Sequence, residues 1–535
     1  MNLRTGFVSS LFVSMLAPAV VFAQAPAVDK WYANRQDQAR APIMAEREAD
    51  WRNGAIVYQV LVDRFAPSEN LEAKRALYPA PKKLRAWNEK PTHGQLNEDV
   101  HVWSHEIDFW GGDLKSVEGK LDYLQGLGVN VVYLNPIHLA YTNHKYDAQD
   151  YFAVSPEFGT RDDVKALAEA LHARGMRLVL DGVFNHMGRS SPWFQEAQKD
   201  PKSQYRDWYF IGPEYKLGYR AWYNVDNLPE VNLENLAVRK RLFLDSDSVV
   251  QGYLRDGVDG WRLDVAFDIG PAILDELTTA AHTAKPGSLV VGEIYNYPET
   301  WSPALDGGLN MTAAKQIFAF MNGELKGPVF GAQIDQMVAD TGIESMLKWW
   351  LVLDNHDRKR LRTEAPERWK QQMAQALQFT LPGSPCIYYG VEIGMEGGED
   401  PAQRGPFQWD LVKDDNEYYT WMKKLIALRN GHRGLRIGDF RKIETASTLA
   451  FLRRTDRAAE TVLIVANASD KPAKEVLMVR ESKLMDNSKM KDLLGDAEVS
   501  VSAGTVTCDV PAHTVWILAP VVEDTVEFSN YRRAY

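Results

Sequence analysis

Short apolar runs recur along residues 54–430, separated by segments with helical spacing. "AIVYQVLV" (55–62), "NVVYL" (130–134), "RLVLDGVF" (177–184), "GVDGWRLDV" (257–265), "SLVVGEI" (288–294), "WWLVLDN" (349–355) and "PCIYYG" (385–390) are mostly continuous rather than alternating. Runs of that kind suit strands of a parallel sheet covered on both faces. Between them lie amphipathic segments such as "DDVKALAEALHARG" (162–175), where Asp162 is the expected cap and Gly175 the expected stop. Repeated strand–helix units over this length predict an α/β fold, a (β/α)8 TIM barrel rather than an open doubly wound sheet. No GxGxxG loop follows the first strand, which argues against a dinucleotide site. From about residue 438 the runs alternate, in "TLAFLRRT", "TVLIVANAS" and "HTVWILAP", as in a C-terminal antiparallel β-sandwich.

Two stretches break the barrel rhythm. Residues 66–108 form a long polar, Pro-containing loop after the first strand, and residues 187–237 follow "DGVFNH" with enough chain for an inserted subdomain. Long loops in compact domains tend to be functional, and both rim the carboxyl-terminal face of the predicted barrel. The expected organisation is therefore 24–186 and 238–437 for the barrel, 187–237 for the insertion after the third strand, and 438–535 for the sandwich. Residues 1–23, "MNLRTGFVSSLFVSMLAPAVVFA", pair Arg4 with a short apolar stretch and a small-residue ending at Ala23. They read as a removable signal, so the expected protein is exported, periplasmic or secreted. Ser9, Ser10, Ser14 and Pro18 interrupt the stretch and argue against a membrane anchor, and no other run is long enough to cross a bilayer.

The composition adds exclusions. A net charge of −11 with no basic run argues against a nucleic-acid or anionic-membrane partner. The only two cysteines, Cys386 and Cys508, leave no Cys-based metal site and are expected as buried free thiols. Sixteen Trp and 22 Tyr supply flat apolar faces, most of which belong in a core but which also suit sugar rings.

Polar clusters end four of the predicted strands: "DGVFNH" (181–186), "GWRLD" (260–264), "GEI" (292–294) and "DNHD" (354–357). Each alone is weak, since an Asp at a strand end is more often a cap. A barrel, however, gathers strand ends at one mouth, where Asp264, Glu293 and Asp357 converge with Arg262, His186 and His356. Three carboxylates at a barrel mouth suit glycosyl transfer or a carboxylate-bound metal. The i, i+2 spacing of Arg262 and Asp264 puts both side chains on one face of the strand.

"DGVFNH", "GWRLDVA", "GEIY" and "NHD", in that order, resemble the four signature regions of the α-amylase family of glycoside hydrolases. "FWGGDLKSVEGKLDYLQGLGVNVVYLNPI" (109–137), "NHKYDAQDYFAVSPEFGT" (143–160) and "PGSPCIYYGVEIGMEGGEDPAQR" (382–404) extend the resemblance to about residues 50–520. The "NHKYD" block and "LPEVN" point to the neopullulanase and cyclomaltodextrinase branch. The resemblance implies Asp264 as nucleophile of a retaining mechanism, Glu293 as general acid/base and Asp357 as a holder of sugar hydroxyls. It implies Arg262 as the residue orienting Asp264, and His186 and His356 as donors to hydroxyls. Tyr146 is implied as the stacking ring, with Asp400 and Arg404 lining the next subsite. The partner is then an α-glucan: maltodextrin, starch, pullulan or cyclodextrin.

Departures from the family pattern are also present. Phe267-Asp268 stands where many α-amylases have Lys-His, and Pro67 in "DRFAPSEN" replaces an expected Asp. No cofactor is required by the implied chemistry. A calcium ion stays open, with Asn185, Asp113 and Asn70 as potential ligands. Relatives in this branch carry an N-terminal dimer-building β-domain, whereas little chain lies between residue 24 and the first strand, so a monomer is expected. The alternative on the same barrel is an α-glucosyl transferase or isomerase acting on maltose, trehalose or sucrose. A catalytically dead binding subunit is disfavoured because all three carboxylates are present.

Overall fold

The computed structural model describes residues 36–522 and Tyr531; the expected signal, residues 1–23, lies outside them. Eight parallel strands form the barrel: β1 (Val57–Val60), β2 (Val131–Leu134), β3 (Arg177–Gly182), β4 (Gly260–Leu263), β5 (Leu289–Gly292), β6 (Gly307–Gly308), β7 (Trp350–Val352) and β8 (Ser384–Tyr388). They pair in chain order, β8 returns to β1, and a parallel bridge between Leu309 and Trp350 closes the ring. Six of the strands fall within the apolar runs of the sequence, and a seventh, β8, starts one residue before its run. The eighth, β6, is two glycines. A Cβ on Gly307 would stand 2.5 Å from the Lys348 carbonyl oxygen and one on Gly308 2.6 Å from the Trp349 ring. The closing strand is therefore small because its neighbours leave no room, and no hydrophobic run announces it.

The alternation within each strand sorts the core into two. Val57, Val131, Tyr133, Val179, Leu289, Val291 and Trp350 fill the barrel interior. Tyr58, Val60, Val132, Leu134, Leu178, Leu180, Trp261 and Leu263 face the surrounding helices. Both sets are apolar, which is why the strands read as continuous runs. The helix predicted from residue 162 spans Arg161–His172. Its cap is Thr160 rather than Asp162: Thr160 Oγ1 accepts from the Asp163 N–H, and the Asp163 carboxylate accepts from the Thr160 N–H at 2.8 Å.

The two loop excursions are ordered by short pairings. In 66–108, Leu96–Asn97 pairs with Val102–Trp103 and Lys83–Leu84 with Asp108–Phe109. In 187–237, isolated bridges join Tyr209 to Val231 and Ala221 to Pro229, and another ties His186, in the loop after β3, to Glu230. The C-terminal part is an eight-stranded antiparallel sheet curled around its own apolar centre, which includes Leu452, Leu463, Val465, Leu477, Val506 and Leu518. Cys386, in β8, and Cys508, in this sheet, are both buried free thiols. Among the described residues no helix is long and apolar enough to cross a membrane.

Candidate active site

The inner row of the barrel turns polar at the carboxyl ends of its strands. Gln59 lies two residues beyond Val57, Asp181 two beyond Val179, and Arg262 two beyond Gly260. Asp181 and Arg262 are direct register partners on β3 and β4. One step past the strands, the Asp264 N–H donates to the Gly182 carbonyl and the Glu293 N–H to the Leu263 carbonyl, so the ladder still fixes both backbones.

One guanidinium organises the centre. Arg262 Nη1 donates to Asp181 Oδ1 at 2.8 Å and to Asp264 Oδ1 at 2.9 Å, and Nη2 lies 3.0 Å from Glu293 Oε1. Arg262 and all three carboxylates are buried. Arg262 contacts Asp264, the residue the resemblance has it orient, and is shared with Asp181 and Glu293 as well. Glu293 is fixed from two more directions: the Val265 N–H donates to Oε2 at 3.0 Å and the Tyr295 hydroxyl to Oε1 at 3.1 Å. Val265 is β-branched yet sits at φ 49°, a left-handed conformation costing on the order of 1–3 kcal/mol. That strained turn directly follows Asp264 and aims the amide at Glu293.

Burial pushes the Asp264 carboxyl well above the ordinary carboxylate range; Arg262 opposes this, while Glu293, Asp181 and Asp357 add to it. Asp181 is raised by burial against the pull of Arg262 and the Tyr133 and Tyr146 hydroxyls. Burial takes His186 down to about 3, so its ring is neutral, and neither ring nitrogen has a hydrogen-bond partner among the described residues. Its Nε2 lies 3.9 Å from Asp264 Oδ2.

A second group adjoins the first. His356 Nδ1 faces the amide nitrogens of Gln59 and Asn135 at 3.0 and 3.2 Å. Those amides donate, so Nδ1 is the acceptor and Nε2 carries the proton, 3.1 Å from Asp357 Oδ2. Burial, with Arg404 and Arg262 nearby, holds His356 well below its ordinary pKa. The Tyr146 ring stacks on His356 at 5.1 Å and 5°, and its hydroxyl donates to Asp181 at 2.9 Å. Arg404 reaches Asp357 at 3.4 Å and Asp400 at 3.3 Å, and its Nε donates to the His356 carbonyl.

All nine residues singled out from the sequence therefore lie in one connected cluster. Sequence reasoning missed Tyr133, Asn135 and Gln59 and gave no role to Asp181 within "DGVFNH"; together they hold Arg262, Tyr146 and His356 in place. Their signal was a polar residue at the end of an apolar strand, visible only with the inward register. Asp268 is exposed and accepts from Trp222 Nε1 at 3.1 Å, and Trp222 in turn packs its ring 5.5 Å from His186.

Two of the three potential calcium ligands, Asp113 and Asn70, are engaged otherwise. Asp113 caps the helix Leu114–Glu118, accepting from the Ser116 N–H at 2.6 Å, and its other oxygen is bonded to the Lys74 ammonium. The Asn70 side chain accepts from the Ala73 N–H. A cation already neutralises Asp113, so these residues do not fit a calcium ion there. Among the described residues no group of three or more His, Cys, Asp or Glu side chains is arranged to hold a metal.

Residues 59–437 match the family model described as the α-amylase catalytic domain. A cyclomaltodextrinase from a Bacillus species is 32% identical over 441 residues, covering 80% of this chain and 75% of the relative. An intracellular maltogenic amylase of Bacillus subtilis is 35% identical over 399 residues, covering 71% of this chain and 62% of the relative. The structure of the type III pullulan hydrolase from Thermococcus kodakarensis superposes with a TM-score of 0.74 at 28% identity, covering 88% of this chain and 82% of that one. These relatives correct one expectation: with a relative named intracellular, export is withdrawn. A short apolar stretch broken by three serines and a proline does not by itself specify it. The barrel, the buried carboxylates at its mouth and the match over most of its length agree: the chain belongs to the α-amylase family of glycoside hydrolases.

Proposed function

We propose that the enzyme hydrolyses α-1,4-glucosidic bonds of maltodextrins, including cyclodextrins and pullulan, through a covalent glycosyl-enzyme with net retention. The observation that carries the reading is the single buried Arg262 guanidinium that bridges Asp264 and Glu293, bringing two carboxyl groups to one bond. The Asp264 carboxylate attacks C1 of the sugar while Glu293 gives its proton to the departing oxygen. Glu293 then takes a proton from water, which attacks C1 and releases Asp264. Retention requires the two carboxyl groups about 5–5.5 Å apart.

The other residues stabilise the sugar as positive charge develops at C1. Asp357, partly exposed beside His356 and Arg404, accepts from ring hydroxyls. His186, neutral and unpartnered, meets hydroxyls without adding a charge that would oppose the developing cation. Tyr146 presents the ring face opposite His356 to the sugar. Asp400 and Arg404 line the next position. No step passes through a metal. The names cyclomaltodextrinase and pullulan hydrolase among the relatives support the substrate class.

Proton NMR of the first products from maltotriose, cyclodextrin, pullulan and starch tests the reading. It predicts an α-anomer formed first; a β-anomer formed first would exclude the covalent intermediate.

A further inference from the structure

Outside the barrel, the C-terminal sheet gathers arginines that are far apart in the chain. Its strands Asp439–Lys442 and Leu449–Arg454 pair antiparallel, with Asp439 opposite Arg454 and Arg441 opposite Leu452. Opposite residues share a face, and diagonal neighbours stay within reach of long side chains, so Arg441 and Arg454 point the same way. The turn after the strand Ala473–Met478 brings up Arg480, whose carbonyl accepts from Arg441 Nη1 at 2.6 Å. Arg40 joins them from the helix Gln36–Ala49. All four line a recess of about 600 Å³, together with the buried side chains of Val479 and Leu484. No basic run in the sequence announces it, because each arginine sits in a different element.

The carboxylates nearby do not balance these cations. Asp439 gives Oδ1 to Arg47 Nη1 at 2.9 Å, and its Oδ2 stands 3.6 Å from Arg40. Glu481, the one acidic side chain among the described lining residues, accepts from the Lys483 N–H at 3.1 Å and lies 3.4 Å from Arg454 Nη1. Arg454 Nε is buried and has no hydrogen-bond partner among the described residues. Burial, Arg40 and Arg441 lower the Arg454 guanidinium by more than Glu481 and Asp439 restore. In a chain of net charge −11, the recess is a local surplus of positive charge.

The chemistry of that surplus selects an occupant. Guanidinium forks match the oxygens of a phosphate and donate to them in pairs. No aromatic ring is among the described lining residues, so neither a nucleobase nor a sugar ring finds a face to stack on. Recognition falls on the charged group instead. We propose that this recess binds a phosphate dianion, free or carried as the phosphate monoester of a small soluble molecule. Its oxygens accept from Arg40, Arg441, Arg454 and Arg480, and the remaining room takes a carrier the size of a hexose. The bound anion ties the helix Gln36–Ala49 to the sheet, adding to the Arg47 bonds that join this helix to Glu344 and Asp439. A ligand held by the folded state alone raises its stability.

Isothermal titration at about pH 8, where phosphate is a dianion, tests the proposal at fixed ionic strength. Inorganic phosphate is the probe in one arm and glucose 6-phosphate in the other. Saturable binding with a Kd of about 1 mM or tighter is expected in at least one arm, with the melting temperature raised by about 2 °C near saturation. Tighter binding of glucose 6-phosphate identifies a carried phosphate as the ligand, and tighter binding of inorganic phosphate a free one. Arg454→Gln is expected to weaken binding at least about ten-fold. Arg480→Gln, at an exposed position, is expected to weaken it about three-fold while the melting temperature without phosphate stays level, which guards against misfolding of the Arg454 variant. No saturable binding in either arm, an equal response to potassium chloride, or full affinity in both variants would overturn the proposal.

Discussion

Two buried charge clusters lie close together in this barrel, and they are balanced in opposite ways. Around Arg262, three carboxylates share one guanidinium. Around Glu157, two ammonium groups share one carboxylate: Lys82 at 2.7 Å and Lys145 at 3.5 Å, with the Ser155 hydroxyl donating at 2.8 Å. Burial acts against ionised Glu157, yet Lys145 and Lys82 hold its carboxyl down to about 2. Lys145, fully buried and at φ 64°, is lowered by burial to about 8. It immediately precedes Tyr146, so the Glu157 cluster is satisfied scaffolding that sets the stacking ring. The Arg262 cluster crowds three carboxyl groups around one guanidinium, where burial raises Asp264 and Asp181, and that is the cluster facing the mouth. Charge compensation is spent on the scaffold and withheld from the site.

Substitutions that break each cluster should separate function from stability. The largest effect is expected from Asp264→Asn, a loss of kcat of more than about 10⁴-fold. Because it removes one of three crowded carboxyl groups, the melting temperature should stay level or rise; a clear fall in calorimetry would contradict the frustrated-site account. Glu157→Gln should do the reverse. It strands a buried ammonium and should cost roughly 3–5 kcal/mol in urea unfolding, while residual folded enzyme keeps its pH–rate profile. A loss below about 1 kcal/mol would show the lysines to be compensated elsewhere.

The same pair sets a pH dependence. Glu157 titrates near 2 when folded and near 4.5 when unfolded. Its contribution is therefore complete above pH ~4.5 and lost as pH falls toward 2, a change on the order of 3 kcal/mol. Chemical denaturation across that window should show the acid limb in wild type and flatten it in Glu157→Gln. The smallest effect is expected from Val265→Gly, which relaxes the left-handed turn and loosens the amide bonded to Glu293. A kcat lower by roughly three- to ten-fold, with an altered acid–base profile and unchanged KM, is the expected outcome. A change in KM alone would place Val265 in binding instead.

Much of this was legible in the residues. Seven barrel strands announced themselves because both faces are buried. The candidate-site cluster did so because polar residues closed four of those strands. The sixth strand was not legible: Gly307 and Gly308 are dictated by the Lys348 carbonyl and the Trp349 ring, contacts distant in sequence. The helix cap at Thr160 was missed for a local reason, since both Thr160 and Asp162 are good caps and only the backbone chooses. Asp181 was seen as part of "DGVFNH", but its bond to Arg262 depends on strand register. Asp113 looked like a metal ligand until Lys74, from a loop of unpredictable course, took its charge.

The central claim is that Asp264 forms the covalent bond while Glu293 handles the proton. Glu293→Gln incubated with an activated fluoroglycoside, then digested and analysed by mass spectrometry, tests it directly. The account predicts one glycosyl adduct, on the peptide containing Asp264. An adduct on any other residue, or steady turnover with inverted product and no adduct, would contradict it.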